Sequence, residues 1–421
     1  MLSNQSNRGQ AIVLIALSIV GLIALTALAI DGGNAFGDRR AAQSAADNAA
    51  LAGALARVNG QNISDAALTI TRANNRVDGT VTIQNPPGPG CNGSTPNIVI
   101  VPDDAWGMHH DELSYYVQVV IRSSVNTFFG PVIGINQVHS CVQAIAHGKP
   151  LVMVTPFAGN AVVGLDPNGN SFDSGQSDSV WWKVSGGGIF ANHNAHSKNA
   201  DSVTFSNGKC ITSVGTSSGF TCAPVKQNQT NMFIHYPADI SSLMSPRTPL
   251  CDGTAYLDAD GKIHPQASSD GSVVATFEGD FAPGLYCFPN AGGNGGVLTG
   301  DGVTFYITDV NFTRKFNGAG SHINVTAPTS GEYKGLVIFG PVTPTPCTQN
   351  IEIRGNGSTP FTGTVFLPSA CIDYRGNGTA DANTQIIGYD VTSNGTADVV
   401  INYNPNDGWK PSVPAEVGLT K

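Results

Sequence analysis

The feature that most constrains this chain is an uncharged run near its start. From Ala11 to Ile30, in AIVLIALSIVGLIALTALAI, no residue carries a charge and only Ser18 and Thr26 carry hydroxyls. At about 1.5 Å per residue such a run makes a helix roughly 30 Å long, the thickness of a bilayer core. The helical pattern does not stop there. It crosses Asp31-Gly32-Gly33 and resumes as alanine-rich sequence to Arg57, which predicts one helix over 11–57, kinked at most near Gly32-Gly33. Ala42, Ala46, Ala50 and Ala54 recur every four residues, with Ala45, Ala49, Ala52 and Ala56 on the neighbouring ridge. Small residues at this spacing let helices approach closely, so this face is expected to pack on other helices. The alternative is a solvated stalk built from the best helix former.

Three readings of this start are open: a cleaved secretory signal with Ala27-Leu28-Ala29 as its small-residue site, a single-span anchor, and a pilin. Arg8-Gly9-Gln10 ahead of the apolar run has the form of a prepilin leader, with Gly9 and Gln10 flanking the processing point. The segment resembles the N-terminal module of TadE/TadG-like proteins of the Flp/Tad (tight adherence) type IVb pilus system. Those proteins show an RGQA entry, an apolar span, an A-x-D-x-G exit and an alanine-rich helix that opens on paired arginines. The matching positions here are Asp31, Gly33, Arg39, Arg40, Gln43, Ala45, Ala46, Asp47, Ala49, Ala50, Leu51, Ala52, Gly53 and Ala54. Leu14 stands at the fifth position after Gly9, where type IV pilins usually carry glutamate.

Composition places the rest. Glycine (50) and proline (25) make up about 18% of 421 residues, against roughly 12% in average usage, while charged residues are only 12%. With 41% hydrophobic residues this is a turn-rich β protein with a core, not a disordered chain. The net charge of −9 and the lack of any Lys/Arg cluster argue against nucleic acid as a partner. The eight cysteines, none in a C-x-x-C pair, point to disulfides in an oxidising, extracytoplasmic space rather than to zinc. Nearest-neighbour pairing predicts Cys91–Cys141, Cys210–Cys222, Cys251–Cys287 and Cys347–Cys371.

Residues 58–150 read as a pilin-like α+β module. A helix near 62–76 precedes strands at 80–84, 97–101 and 114–123, then VNTFFGPVIG as a short helix and NQVHSCVQAIAHG as a strand. Thr127, Phe129 and Gly134 fit a T-x-F-x-x-x-x-G pattern that again resembles TadG-like proteins. In MHHDE at 108–112, His109 and His110 would point to opposite faces of a strand, which disfavours a shared metal.

From 151 to 404, runs such as VTFYITDVNF, GLVIFG, TGTVFL and QIIGYDV alternate with Gly/Asn/Ser turns. RGNGS at 354–358 recurs as RGNGT at 375–379, and SNGTA follows at 393–397. Repeats of about 20 residues with Asn-Gly corners predict a parallel β-solenoid, with a β-sandwich as the alternative. GTSSG at 215–219 lacks the strand-then-helix setting of a nucleophile elbow. Asp166, Asn168 and Asn170 begin like a calcium loop, but Ser171 and Ser177 break the pattern. Asp301, Asp309 and Asp373 sit on separate segments, so the carboxylate pair of a carbohydrate-active enzyme is not evident.

The expected organisation is a leader-like segment 1–9, a transmembrane and assembly helix 10–57, a pilin-like module 58–150, a solenoid 151–404 and a tail 405–421. The fold class is α+β, mainly β. The expected function is a non-enzymatic pilin-like subunit or tip component of a Tad-like type IV pilus, without cofactor or metal. It would sit in the inner membrane before assembly and outside the cell afterwards. Its partners would be other pilin subunits through the helix, and surface glycans or host and abiotic surfaces through the ectodomain. A membrane-anchored adhesin that never polymerises is the alternative.

Overall fold

In the computed structural model, residues 8–100, 111–175, 181–206, 209–316, 322–354, 361–376, 379–396, 398–413 and 415–420 are described. Helix α1 (Arg8–Val58) runs unbroken through Gly32 and Gly33. Helix α2 (Ile63–Ala73) follows, its first turn capped by the Asn62 side chain, which accepts from the Asp65 N–H at 3.2 Å. The described residues divide into two compact units: unit 1, residues 8–100 with 111–152 and 415–420, and unit 2, the described residues of 153–413.

Unit 1 is an antiparallel sheet with α1 and α2 packed on it. Strands β1 (Val81–Gln84), β2 (Tyr116–Asn126) and β3 (Gln137–Lys149) pair in order, Val81 opposite Ile121 and Tyr116 opposite His147. Of the expected strand at 97–101, residues 97–100 are irregular. The expected tail supplies a fourth strand, Glu416–Thr420, which lies antiparallel to β3 with Glu416 opposite Lys149. Five alternating residues are too short a signal to reveal such a strand locally; its partner lies far back in the chain.

The alanine face is where the structure departs most from expectation. Ala42, Ala45, Ala46, Ala49, Ala50 and Ala54 are completely buried, and they face Val119, Ile121, Val142 and Ala146 of the chain's own sheet. An alanine ridge admits a sheet as readily as it admits another helix. At Gly148 the two backbones come so close that a Cβ would meet the Ala54 carbonyl oxygen at 2.4 Å. Ala42, Ala46, Ala50 and Ala54 therefore fix α1 to unit 1 and are not a free surface for other helices. An ion pair between Arg76 and Asp38 (2.8 Å) adds a second tie between α1 and the rest of unit 1.

Unit 2 is solenoid-like. One column of parallel pairs runs Gly253, Ser272, Tyr286, Phe305, Ile338, Val365, Ile386, Val162, Ile189, Ile211, each residue level with the next. The repeated motifs stack as their spacing implies: Arg354 lies beside Arg375, and Arg375 beside Asn394. One continuous core, from Ala161 to Tyr403, fills the interior with Trp182, Phe281, Phe288 and Phe305 among its largest members.

The stacking order is not the sequence order. The chain enters at Val162, winds outward to Ile211, then returns and starts again at Gly253, winding until Ile386 pairs with Val162. The return segment, 219–250, runs back along the flank. Asn192 exchanges hydrogen bonds with Ile234 (both 2.8 Å), Tyr236 donates to the Thr343 carbonyl (2.7 Å), and Arg247 grips Asp270 (2.6 and 2.8 Å). Cys210–Cys222 pins one end of this strap and Cys251–Cys287 the other. The remaining bridges are Cys91–Cys141 and Cys347–Cys371, so all four are nearest-neighbour pairs.

Connectivity gives this order a physical reason. Unit 2 is inserted between β3 and the C-terminal strand, which are adjacent in one sheet, so its two ends must also be close. A column this deep, wound in sequence, would put its ends about 40 Å apart at about 4.8 Å per rung. Placing the seam mid-column brings them together, and the Val154 N–H donates to the Pro411 carbonyl at 3.1 Å.

Candidate functional site

The first half of α1 is bare. Leu14, Leu22 and Leu28 are 67, 64 and 70% exposed, and none of the apolar residues from Ile12 to Ile30 is buried. By length and composition this is a helix able to cross a membrane. Its two hydroxyls are consumed internally: Ser18 donates to the Leu14 carbonyl and Thr26 to the Leu22 carbonyl, both at 2.8 Å. The described helix thus offers no unsatisfied hydroxyl over Ile12–Ile30, as an apolar surrounding requires. Gly9 and Gln10 fall in the first turn of α1, whereas residues 1–7 of the leader-like segment lie outside the described residues.

At the end of the apolar run, Asp31 does something the sequence did not announce. Its carboxylate accepts three successive backbone N–H groups from the β2–β3 hairpin tip: Phe128 (2.7 Å), Phe129 (3.0 Å) and Gly130 (2.9 Å). Desolvation works against ionisation there, but the three donors together outweigh it and hold the carboxyl below the usual carboxylate range. The tip itself is a tight 3₁₀ turn, Gly130–Ile133, closed by Gly134 at φ +85°. Gly130 is required for room, since a Cβ would meet the Ile135 carbonyl oxygen at 2.3 Å. Two motifs read separately in the sequence, Asp31 at the helix exit and Thr127-x-Phe129 with Gly134, therefore form one structure. Nothing local could have joined them, because they are almost a hundred residues apart. Between tip and helix lies an apolar cleft of ≈ 620 Å³.

Other candidate positions have structural partners. Asp111 of MHHDE accepts from the Tyr116 hydroxyl (2.7 Å) and lies 3.2 Å from His147 Nε2; His109 and His110 are outside the described residues. Asp166 caps its own turn through the Asn168 N–H (2.9 Å) and accepts from the Tyr389 hydroxyl (3.0 Å). Ser217 of GTSSG shares a hydrogen bond with Ser213 (2.8 Å). Asp390 lies near Asp166 and Asp173; burial, then these two charges, push its carboxyl up to about 7. Among the described residues no group of three His, Cys, Asp or Glu side chains is arranged to hold a metal ion.

Residues 9–58 match the family model Tad, "Putative Flp pilus-assembly TadE/G-like". No curated protein matches the chain, and no solved structure does. The match ends where α1 ends, at Val58, so it covers the bare apolar run, the Asp31 clamp and the docked alanine ridge as one piece. Residues 9–58 are a TadE/G-like segment, which associates the chain with the Flp/Tad pilus system.

Proposed function

We propose that this protein is a structural component of a Tad-like type IV pilus, a pilin-like subunit or tip component that works by assembly and surface contact, without catalysis. One observation carries the reading: a single 51-residue helix is divided into a docked half and a wholly bare apolar half. The docked half holds the folded body, and the bare half serves first as a membrane span and then as the part that enters a filament core. The disulfide-tied, low-charge solenoid is the displayed part, stable outside the cell and offering stacked faces to surface glycans or to host and abiotic surfaces.

A second reading, an anchored adhesin that never polymerises, draws support from the buried alanines. With Ala42, Ala46, Ala50 and Ala54 used internally, assembly would rest on 11–30 alone. All eight native cysteines are bridged, so an introduced cysteine is the sole free thiol. Leu22→Cys in native cells, treated with a bifunctional thiol cross-linker, separates the two. A ladder of multimers supports the subunit reading; monomers throughout support the anchor.

A further inference from the structure

The hairpin tip carries more than the clamp. Phe128, Val132 and Ile133 are 80, 87 and 76% exposed, a concentration of large apolar side chains that a water-facing turn does not favour. Most backbone N–H groups at the tip are served from within the protein. Asp31 takes the N–H groups of Phe128, Phe129 and Gly130, and Pro131 has none. Val132 donates to the Phe129 carbonyl (3.1 Å), Gly134 to Pro131 (3.1 Å) and Ile135 to Gly130 (2.9 Å). The Thr127 hydroxyl is spent on the Ile135 carbonyl (2.5 Å). Loops in water leave such groups to solvent; hydrocarbon demands that they be paired internally.

The tip also lies alongside the span. The cleft has Val20, Ile23 and Ala27 on one wall and Phe129, Val132 and Ile133 on the other. From Asp31 back to Val20 is about 16 Å of helix, so the cleft that the tip shares with α1 extends well into the apolar stretch. Polar residues begin at its base, where Gln137 donates to Asn126 (2.8 Å) level with the end of the hairpin.

We propose that the β2–β3 tip, residues 127–135, is a second membrane-inserted element, which enters the near leaflet beside α1 with Phe128, Val132 and Ile133 among the acyl chains. The cleft between tip and helix is filled by lipid hydrocarbon. Asp31 makes this possible, because it pairs the three N–H groups that would otherwise be stranded. Lipid fits better than a protein partner: residues 127–135 carry no charge, and their one hydroxyl is already used, so no side chain is left to offer a polar contact. The inference rests on the reading of 11–30 as a membrane span.

The test uses the full chain in liposomes of phosphatidylcholine and phosphatidylglycerol. Val132→Cys, Ile133→Cys, Leu17→Cys and Val77→Cys are each labelled with an environment-sensitive nitrobenzoxadiazole probe. Quenching by phosphatidylcholine spin-labelled at a shallow or a deep acyl position reports depth. The expected result is that probes at 132 and 133 lose most of their emission to the shallow quencher, the probe at 17 to the deep one, and the probe at 77 to neither. If 132 and 133 behave like 77 while 17 is quenched, the inserted tip is wrong and the span stands. If 17 is also unquenched, the span reading falls with it. Blue-shifted but unquenched probes at 132 and 133 would mean that a protein surface covers the tip, which overturns the lipid assignment.

Discussion

The alanine ridge gives the sharpest test of how α1 is used. Ala46 and Ala50 are completely buried against β2 and β3, and α1 lies close enough to β3 that Gly148 has no room for a Cβ. Replacing either alanine with leucine adds three carbons to a site without space for them. Overpacking of this kind costs about 1–3 kcal/mol at each site. The two sites are one helical turn apart and share neighbours, so the double variant should cost about 2–5 kcal/mol rather than a strict sum. For a unit of this size each kcal/mol lowers the melting temperature by roughly 2–4 °C. Ala46→Leu/Ala50→Leu in detergent-solubilised full chain should therefore show faster amide exchange at Val119 and Val142 and an earlier unfolding transition in unit 1, with unit 2 unchanged. Ala16→Leu, on the bare half of α1, should change neither. A double variant that keeps its exchange pattern and melting temperature while losing multimers would refute the reasoning, because the ridge would then face another copy.

Four further outcomes follow from the structure. Asp31→Ala should speed amide exchange at Phe128, Phe129 and Gly130 by about 10-fold or more, because all three N–H groups lose their carboxylate acceptor; unchanged exchange would deny the clamp. Gly148→Ala should destabilise unit 1 by more than about 2 kcal/mol in denaturant titration, since backbone must move to admit the methyl, whereas Gly79→Ala, with open space around it, should be near neutral. Asp390 has a folded pKa of about 7, above its ordinary 3.8, so the stability it contributes is full below about pH 4 and lost as pH rises through 7. Asp390→Asn should then match wild type near pH 4 and exceed it by on the order of 4 kcal/mol above pH 7, measured as the midpoint of unit 2 unfolding. Cys251→Ala/Cys287→Ala opens a 36-residue separation at the far end of the strap and should lower the stability of unit 2 by about 3–4 kcal/mol.

What could be read from the sequence is what depends on local pattern. The apolar run Ala11–Ile30 declares itself by composition, the helix to Val58 by propensity, and the rung repeat by Arg354 and Arg375, which do stack. Disulfides between neighbouring cysteines follow where rungs are short. What depends on distant partners was silent. Asp31 reads only as a helix-exit residue until residues 128–130 arrive beside it. Rungs look alike in any stacking order, so nothing in VVG or in QIIGYDV reveals that Ile386 pairs with Val162. The alanines were legible as a close-packing face, but small side chains do not say whether a helix or a sheet will come near. Only the sheet's own Val119, Val142 and Gly148 answer that.

The most direct test of the central claim is immunogold negative-stain imaging of cells that carry the native protein, using antibody raised against unit 2. The expected result is gold along filaments or at their tips, lost when Ala11–Ile30 is replaced by a polar helix of equal length. Gold scattered over the cell envelope and absent from every filament would contradict a pilus component and leave the anchored adhesin in its place.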